Sequence, residues 1–85
     1  MLIEAAGAGR LDAVERLLRD GADVNARDAR GRTAAMGEHV RVVRALVDAG
    51  ADPTIADRDG VTPLEHAHSG GYTAIVATLE RAGAR

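Results

Sequence analysis

Residues 57–67 read DRDGVTPLEHA, and residues 28–35 read the related DARGRTAA. Both stretches place aspartate, glycine and threonine at the same spacing. A short polar stretch that begins with Asp and ends with Gly is typical of a tight turn. In the later stretch, Thr62 is a good N-cap, Pro63 suits the first helical position, and Glu65 completes a capping box. The sequence therefore predicts a turn that leads directly into a helix.

The same order of elements repeats along the chain. Gly-Ala-Asp ends an apolar segment at residues 21–23 and again at residues 50–52, and residues 82–85 begin a third copy. The apolar segments follow the spacing of one helical face, and they are residues 11–18, 40–47 and 73–80. Each unit is thus a turn, a short inner helix, a longer outer helix and a Gly-centred end.

A single helix pair cannot bury its own apolar face, so neighbouring pairs must stack. The sequence therefore predicts an all-α solenoid of three stacked helix pairs joined by two hairpin-like loops. We expect one domain over residues 1–85, with copies at about residues 1–27, 28–56 and 57–85.

The composition narrows the class of protein. With 85 residues, 46% of them hydrophobic and Tyr72 as the only aromatic residue, the chain makes one small domain. The absence of cysteine excludes disulfides and thiolate sites. The net charge of −2 is not the excess of basic residues that is typical of nucleic-acid-binding proteins. No apolar run approaches the roughly 20 residues that are needed to span a bilayer. The N-terminal residues do not form a signal peptide, so we expect a cytoplasmic protein without a nucleic-acid or membrane partner.

The repeat unit resembles the ankyrin repeat, whose period is about 33 residues. The pattern is D-x-x-G-x-T-P-L-x-x-A, then G-x-x-x-x-V-x-x-L, then G-A-D, and it covers essentially the whole chain. The matching residues are Gly60, Thr62, Pro63, Leu64 and Ala67 in one copy and Ala5, Ala6, Gly9, Val14, Leu17, Leu18, Gly21, Ala22 and Asp23 in another. The resemblance implies an ankyrin-repeat solenoid that binds other proteins, without enzyme activity or a cofactor.

The middle copy is four residues short. Six positions separate Thr33 from His39, whereas ten separate Thr62 from Tyr72. Laid on the family pattern, the missing residues are the first turn of the inner helix, with its Pro and a core Leu. Four residues turn a helix through about 400°, so the remaining face is rotated by only about 40° and the stack can survive. We expect residues 33–38 to form at most one helical turn or an extended linker.

The two ends of the array differ. Thr73 and Glu80 are polar residues at positions that are apolar in both earlier copies. Such a change is typical of the outer face of a capping repeat, which predicts that the C-terminus is a true end. At the other end, Met1 enters midway through an inner helix, so the first copy lacks its hairpin.

No catalytic, cofactor or metal site is predicted. His66 and His68 lie two residues apart on one helix and point about 200° away from each other, so they do not share a ligand face. Ser69 lies at a Gly-flanked helix end with no orienting acid. Asp57 and Asp59 are explained by turns, which need no calcium ion.

With no catalytic or metal site predicted, the exposed hairpins and inner helices are the candidate functional feature, as a binding surface. In ankyrin-like proteins, partners usually bind to the hairpin tips and the exposed face of the inner helices. The resemblance assigns this role to Arg27, Ala29, Arg30, Arg32, Arg58, Asp59, Val61 and Ser69, with Gly7, Ala8 and Gly70 also on the inner helices. Because arginine forks onto carboxylates, we expect an acidic protein partner. The alternative is that the tips are simply solvated, charged turns.

Two interpretations of function follow from the sequence. The first is a protein-binding module that uses the hairpin tips and the inner-helix face. The second is a structural, engineered or truncated ankyrin fragment that self-associates and has no specific partner. Since the middle helix is short and the first pair has no cap, we also expect a homo-oligomer, formed by exchange of helix pairs across residues 33–38.

Overall fold

The computed structural model describes residues 2–84, and all regular structure within them is helical. The five α-helices and one 3₁₀ turn are α1 (Leu2–Gly7), α2 (Leu11–Arg19), the 3₁₀ turn (Ala34–Met36), α3 (Val40–Asp48), α4 (Pro63–Gly70) and α5 (Thr73–Arg81). They form three antiparallel pairs, and each pair packs on the next. The predicted all-α solenoid of three helix pairs is confirmed. Met1, where the first copy was expected to begin, lies outside the described residues.

The core consists of two clusters of aliphatic side chains on either side of α3. Val42 and Leu46 point to the first pair, where they pack with Val14 of α2. Val43 faces the third pair and packs with Leu79 of α5. All five side chains are at most 2% exposed. Helix α3 therefore connects the two halves of the core.

The inner helix of the third copy begins as predicted. The hydroxyl oxygen of Thr62 accepts a hydrogen bond from the backbone N–H of Glu65 at 3.2 Å, and the Glu65 carboxylate accepts from the backbone N–H of Thr62 at 3.1 Å. This capping box satisfies two N–H groups that a helix start otherwise leaves unpaired. The helix ends at Gly71, whose φ of 73° is in the left-handed region that glycine tolerates.

The inner helix of the middle copy is reduced to the single 3₁₀ turn Ala34–Met36. Thr33 precedes it with extended backbone angles similar to those of Thr62, but its side chain makes no capping hydrogen bond. The four missing residues correspond to residues 63–66 of the third copy, which include the residue whose N–H pairs with Thr62. The predicted shortening of this helix is confirmed.

The outer face of the third pair is polar. Thr73 and Glu80 are exposed, whereas the equivalent residues of the first two pairs are half-buried. Those half-buried residues pack against the next cluster along the stack, and they are Leu11, Leu18, Val40 and Val47. The polar substitutions therefore lie where no further pair covers the stack within residues 2–84.

Candidate protein-binding surface

An aspartate organises each of the two hairpins. One carboxylate oxygen of Asp28 accepts the backbone N–H groups of Arg30 and Arg32, both at 2.9 Å. Asp57 accepts those of Asp59 and Val61 at 2.9 and 3.0 Å. Since each aspartate ties down the backbone that follows it, the two tips have closely similar geometry.

The second carboxylate oxygen has a different partner in each copy. In the intact copy, Asp57 Oδ2 lies 2.9 Å from Nε2 of His66 on α4. The middle copy lost the residue equivalent to His66, and Nε of Arg32 instead donates to Asp28 Oδ2 at 2.9 Å. In the middle copy, an arginine of the loop itself thus pairs with the carboxylate oxygen that His66 contacts in the third copy.

Hydrogen bonds to the carboxylates lower the pKa values of three aspartates. The largest cause is the backbone N–H of Arg32 for Asp28 and that of Val61 for Asp57. For Asp52 it is the Thr54 hydroxyl, which donates to the carboxylate at 2.6 Å. Each of these contacts favours the ionised carboxylate, which is therefore the form bound in the folded loops.

Acid should destabilise the protein through these carboxylates. A group whose pKa is lowered by folding contributes stability above its unfolded-state pKa, and that contribution disappears as pH falls through the folded-state value. We expect the free energy of unfolding to fall most steeply below the ordinary aspartate pKa of 3.8, measured by urea denaturation from pH 7 to pH 2.5. The substitution Asp57→Asn removes one of the three carboxylates, so the free energy of unfolding should change less steeply with pH in this range. An unchanged slope would contradict the role of the hairpin carboxylates.

Arg30 and Arg58 lie side by side at the two tips. The backbone N–H of Arg58 donates to the carbonyl oxygen of Arg30 at 3.0 Å, which joins the hairpins directly. Both side chains are exposed, and neither enters an ion pair within residues 2–84. Ala29 and Asp59 next to them are also exposed. The two adjoining tips therefore each present an exposed arginine side chain to solvent.

The other two arginines of the predicted site are engaged within the protein. Arg27 donates from Nε to the carbonyl oxygen of Gly31 at 3.1 Å and from Nη2 to that of Ala56 at 2.7 Å, so it links the two hairpins. Arg32 forms the ion pair with Asp28. Val61, also in the predicted set, is half-buried. Some of the predicted residues are thus exposed at the hairpin tips, whereas others stabilise the loops through hydrogen bonds within the protein.

The inner-helix side of the surface contains a contact that the sequence did not reveal. The hydroxyl of Tyr72 donates to Glu38 Oε2 at 2.7 Å, between residues 34 positions apart. The Glu38 carboxylate raises the pKa of the Tyr72 phenol above its ordinary value of 10.0. Ser69 and Gly70 are exposed beside this pair, and a Cβ at Gly70 would clash with the tyrosine ring. Tyr72 therefore covers this end of α4.

The missing helical turn leaves an open cleft of about 570 Å³ between α1 and the 3₁₀ turn. Its lining combines apolar side chains of both elements with residues of the first hairpin, including Leu2, Ile3, Met36, Arg27 and Thr33. Thr33 is only 3% exposed, and its hydroxyl oxygen has no hydrogen-bond partner in the described part of the chain. The buried hydroxyl marks the place where the lost residues would have paired.

Opposite effects are expected when the two equivalent threonines are replaced by valine. Thr33→Val should raise the free energy of unfolding by about 1 kcal/mol, because it removes a buried polar group that has no partner. Thr62→Val should lower it by about 1 kcal/mol, because it removes a functioning N-cap. Chemical denaturation of both variants tests this. Loss of stability in both would mean that the Thr33 hydroxyl is paired in solution.

Comparison with known proteins agrees with this architecture. The sequence matches the family model for ankyrin repeats, in three copies, over residues 2–85. The chain belongs to the ankyrin-repeat family. Ankyrin repeats generally serve as protein–protein interaction modules.

This ankyrin-repeat chain is similar to proteins of quite different kinds. A crystal structure of an ankyrin repeat domain from Acinetobacter baumannii AYE superposes with a TM-score of 0.94 at 39% identity, over 99% of this chain and 47% of that one. The cyclin-dependent kinase inhibitor 2A of Monodelphis domestica is 38% identical over 99% of this chain and 52% of its own length. The mitochondrial disaggregase of Homo sapiens is 47% identical over 66% of this chain and 8% of its own. The chain thus spans about half of these relatives or less.

The three histidines lie apart from any group of acidic side chains within residues 2–84 that could serve as metal ligands. Among the described residues there is no cluster of three or more His, Asp or Glu side chains that could hold a metal ion. His66 is bonded to Asp57, and His68 is exposed on the last turn of α4. None of the helices between residues 2 and 84 has the length and apolar content needed to cross a bilayer.

Proposed function

We propose that this chain is a non-enzymatic protein-binding module that uses its hairpin tips and inner-helix face, residues 1–85 acting as one domain in the cytoplasm. The observation that carries the proposal is the pair of exposed, unpaired guanidinium groups of Arg30 and Arg58 at adjoining tips. Its partner is an acidic protein surface, since arginine binds carboxylates through two parallel hydrogen bonds.

The rigidity of the two tips supports this proposal. Carboxylate bonds from Asp28 and Asp57 and the crosslink from Arg27 hold the loops in place before a partner arrives. A preformed surface loses less conformational entropy on binding than a flexible one. Arg30 and Arg58 can therefore act as positioned anchors, with Ala29 and Asp59 beside them and Ser69 on the inner-helix side.

A pull-down with the 85-residue chain as bait tests the proposal. The double variant Arg30→Ala, Arg58→Ala should lose acidic proteins that the unmodified chain captures from a cell lysate, and added salt should weaken their capture. The matched control is Arg41→Ala, Arg44→Ala, which removes the same charge from exposed positions on α3. Equal capture by both variants would place the binding surface elsewhere.

Self-association is a second candidate, favoured by the outer face of the first pair. Leu17 of α2 is only half-buried, whereas the equivalent Leu46 and Leu79 are fully buried against a preceding pair. Ala13 is likewise half-buried, whereas Val42 at the equivalent position of α3 is fully buried. A second copy covering this face would shield it from water. Sedimentation at micromolar concentration distinguishes the candidates, because a clean monomer with a cooperative melt excludes self-association as the role.

A further inference from the structure

The cleft beside the 3₁₀ turn adjoins the place where the middle copy is four residues shorter than the third copy. In the intact third copy, residues 63–66 occupy the equivalent place. There Leu64 is 9% exposed and packs in the second core cluster, while the backbone N–H of Glu65 pairs with the Thr62 hydroxyl. An occupant of the middle cleft that reproduces these contacts supplies an apolar side chain of similar size and a backbone N–H donor.

The cleft retains the groups that would receive such an occupant. Leu2, Ile3 and Met36 line it with apolar surface. Thr33, which is 3% exposed, contributes a buried hydroxyl oxygen that has no hydrogen-bond partner within residues 2–84. Burying an unpaired hydroxyl is unfavourable, so an occupant would satisfy it with an N–H donor or with an oxygen acceptor, and Glu65 supplies both to Thr62 in the third copy.

Charged residues of both signs line the cleft, and they are Glu4, Arg27, Asp28 and Arg32. Arg27 lines the cleft, and its two hydrogen bonds go to neutral carbonyl oxygens. Arginine has five N–H donors, so three remain for a ligand. No carboxylate within residues 2–84 pairs with it. Arg32, also at the mouth, is already paired with Asp28. A carboxylate near the apolar side chain would therefore find a cationic partner in Arg27.

We propose that this cleft binds a segment of a partner protein that inserts a leucine-sized side chain followed by a carboxylate, and so replaces the missing helical turn from outside. The inference rests on the proposed protein-binding function and names the chemistry that the surface recognises. A leucine next to a glutamate in a helical turn, as in Leu64 and Glu65 of the chain's own third copy, has the required arrangement.

A synthetic peptide with the sequence of residues 59–70, DGVTPLEHAHSG, is the probe. Titrated into the ¹⁵N-labelled chain, it should shift the amide signals of Ala34, Met36 and Gly37, which line the cleft. The control peptide carries Ala in place of the leucine and should bind at least about tenfold more weakly, because it loses most of the buried apolar surface. The chain variant Thr33→Val should also bind the probe more weakly. No shift at millimolar peptide, or equal affinity for both peptides, would overturn the proposal.

A filled variant separates this inference from the proposed function. Insertion of Pro-Leu-Glu-His after Thr33 restores the turn and should abolish peptide binding, while Arg30 and Arg58 remain exposed at the tips. Undiminished peptide binding by the filled variant would place the site outside the cleft. Undiminished capture of acidic proteins by the filled variant would leave the binding function intact and overturn the cleft as its recognition site. Concentration-dependent shifts of the same amides in the peptide-free chain would assign the cleft to a second copy and overturn the partner peptide.

Discussion

Leu46→Ala is expected to lower the free energy of unfolding by about 3–5 kcal/mol, the upper part of the range for fully buried leucines. Leu46 is 0% exposed, lies on α3 and packs in the cluster that joins the first and middle pairs. The middle pair has only a 3₁₀ turn as its inner helix, so few neighbouring side chains can collapse into the cavity. The total stability of a domain of this size is about 4–13 kcal/mol. The loss is therefore a large fraction of the total stability, and the variant should unfold at a clearly lower urea concentration than the unmodified chain.

Urea denaturation followed by circular dichroism measures this effect. The matched control is Leu18→Ala, because Leu18 is half-buried at the edge of the same cluster and has the same side chain. It should cost less than half as much, since less apolar surface returns to water. If the two variants lost similar amounts of unfolding free energy, the packing of α3 on the first pair would not be a main source of stability.

Restoring the missing turn is expected to have the opposite effect. Insertion of Pro-Leu-Glu-His after Thr33 should raise the melting temperature by about 10 °C. The new leucine would contribute about 2 kcal/mol by filling the cleft, and each kcal/mol corresponds to about 4–8 °C in a domain of this size. The inserted glutamate would also allow Thr33 to form the capping box that Thr62 forms with Glu65.

The composition of the insert decides whether packing or length causes the gain. An insert of Gly-Ser-Gly-Ser has the same length without an apolar side chain or a Pro, and it should leave the melting temperature unchanged or lower it. If the expected exchange of helix pairs across residues 33–38 occurs, the Pro-Leu-Glu-His insert should also shift sedimentation toward the monomer. Equal melting temperatures for the chain with and without this insert would show that the four residues contribute nothing to stability.

Local signals allowed the helices to be predicted. Thr62, Pro63 and Glu65 form a helix start within four consecutive positions, and the structure has the predicted hydrogen bonds there. The shortened middle helix was also predictable, because the loss of four residues appears directly when the two copies are aligned. The polar Thr73 and Glu80 similarly indicated the outer face. These features depend on residues that are neighbours in sequence.

The candidate surface was only partly predictable. The sequence placed four arginines on the hairpins but did not distinguish their roles. Arg27 reaches the carbonyl oxygen of Ala56, 29 positions away, whereas Arg30 and Arg58 remain free at the tips. The bond between Tyr72 and Glu38 likewise joins distant residues. Which arginine supports a loop and which faces solvent depends on how the repeats stack.

The sequence by itself determined the repeat, its helices and the copy that lacks a turn, because turns, caps and amphipathic periodicity act over a few residues. Tertiary structure decided what became of the missing turn. Ala34 of the 3₁₀ turn packs in one cluster with Leu2 and Ala6 of α1, while an open cleft of about 570 Å³ remains beside them. The Thr33 hydroxyl is buried there without a hydrogen-bond partner within residues 2–84. The physical reason is that α3 packs against the first pair through Val42 and Leu46 and against the third pair through Val43, and contacts between residues so distant in sequence form only when the pairs stack.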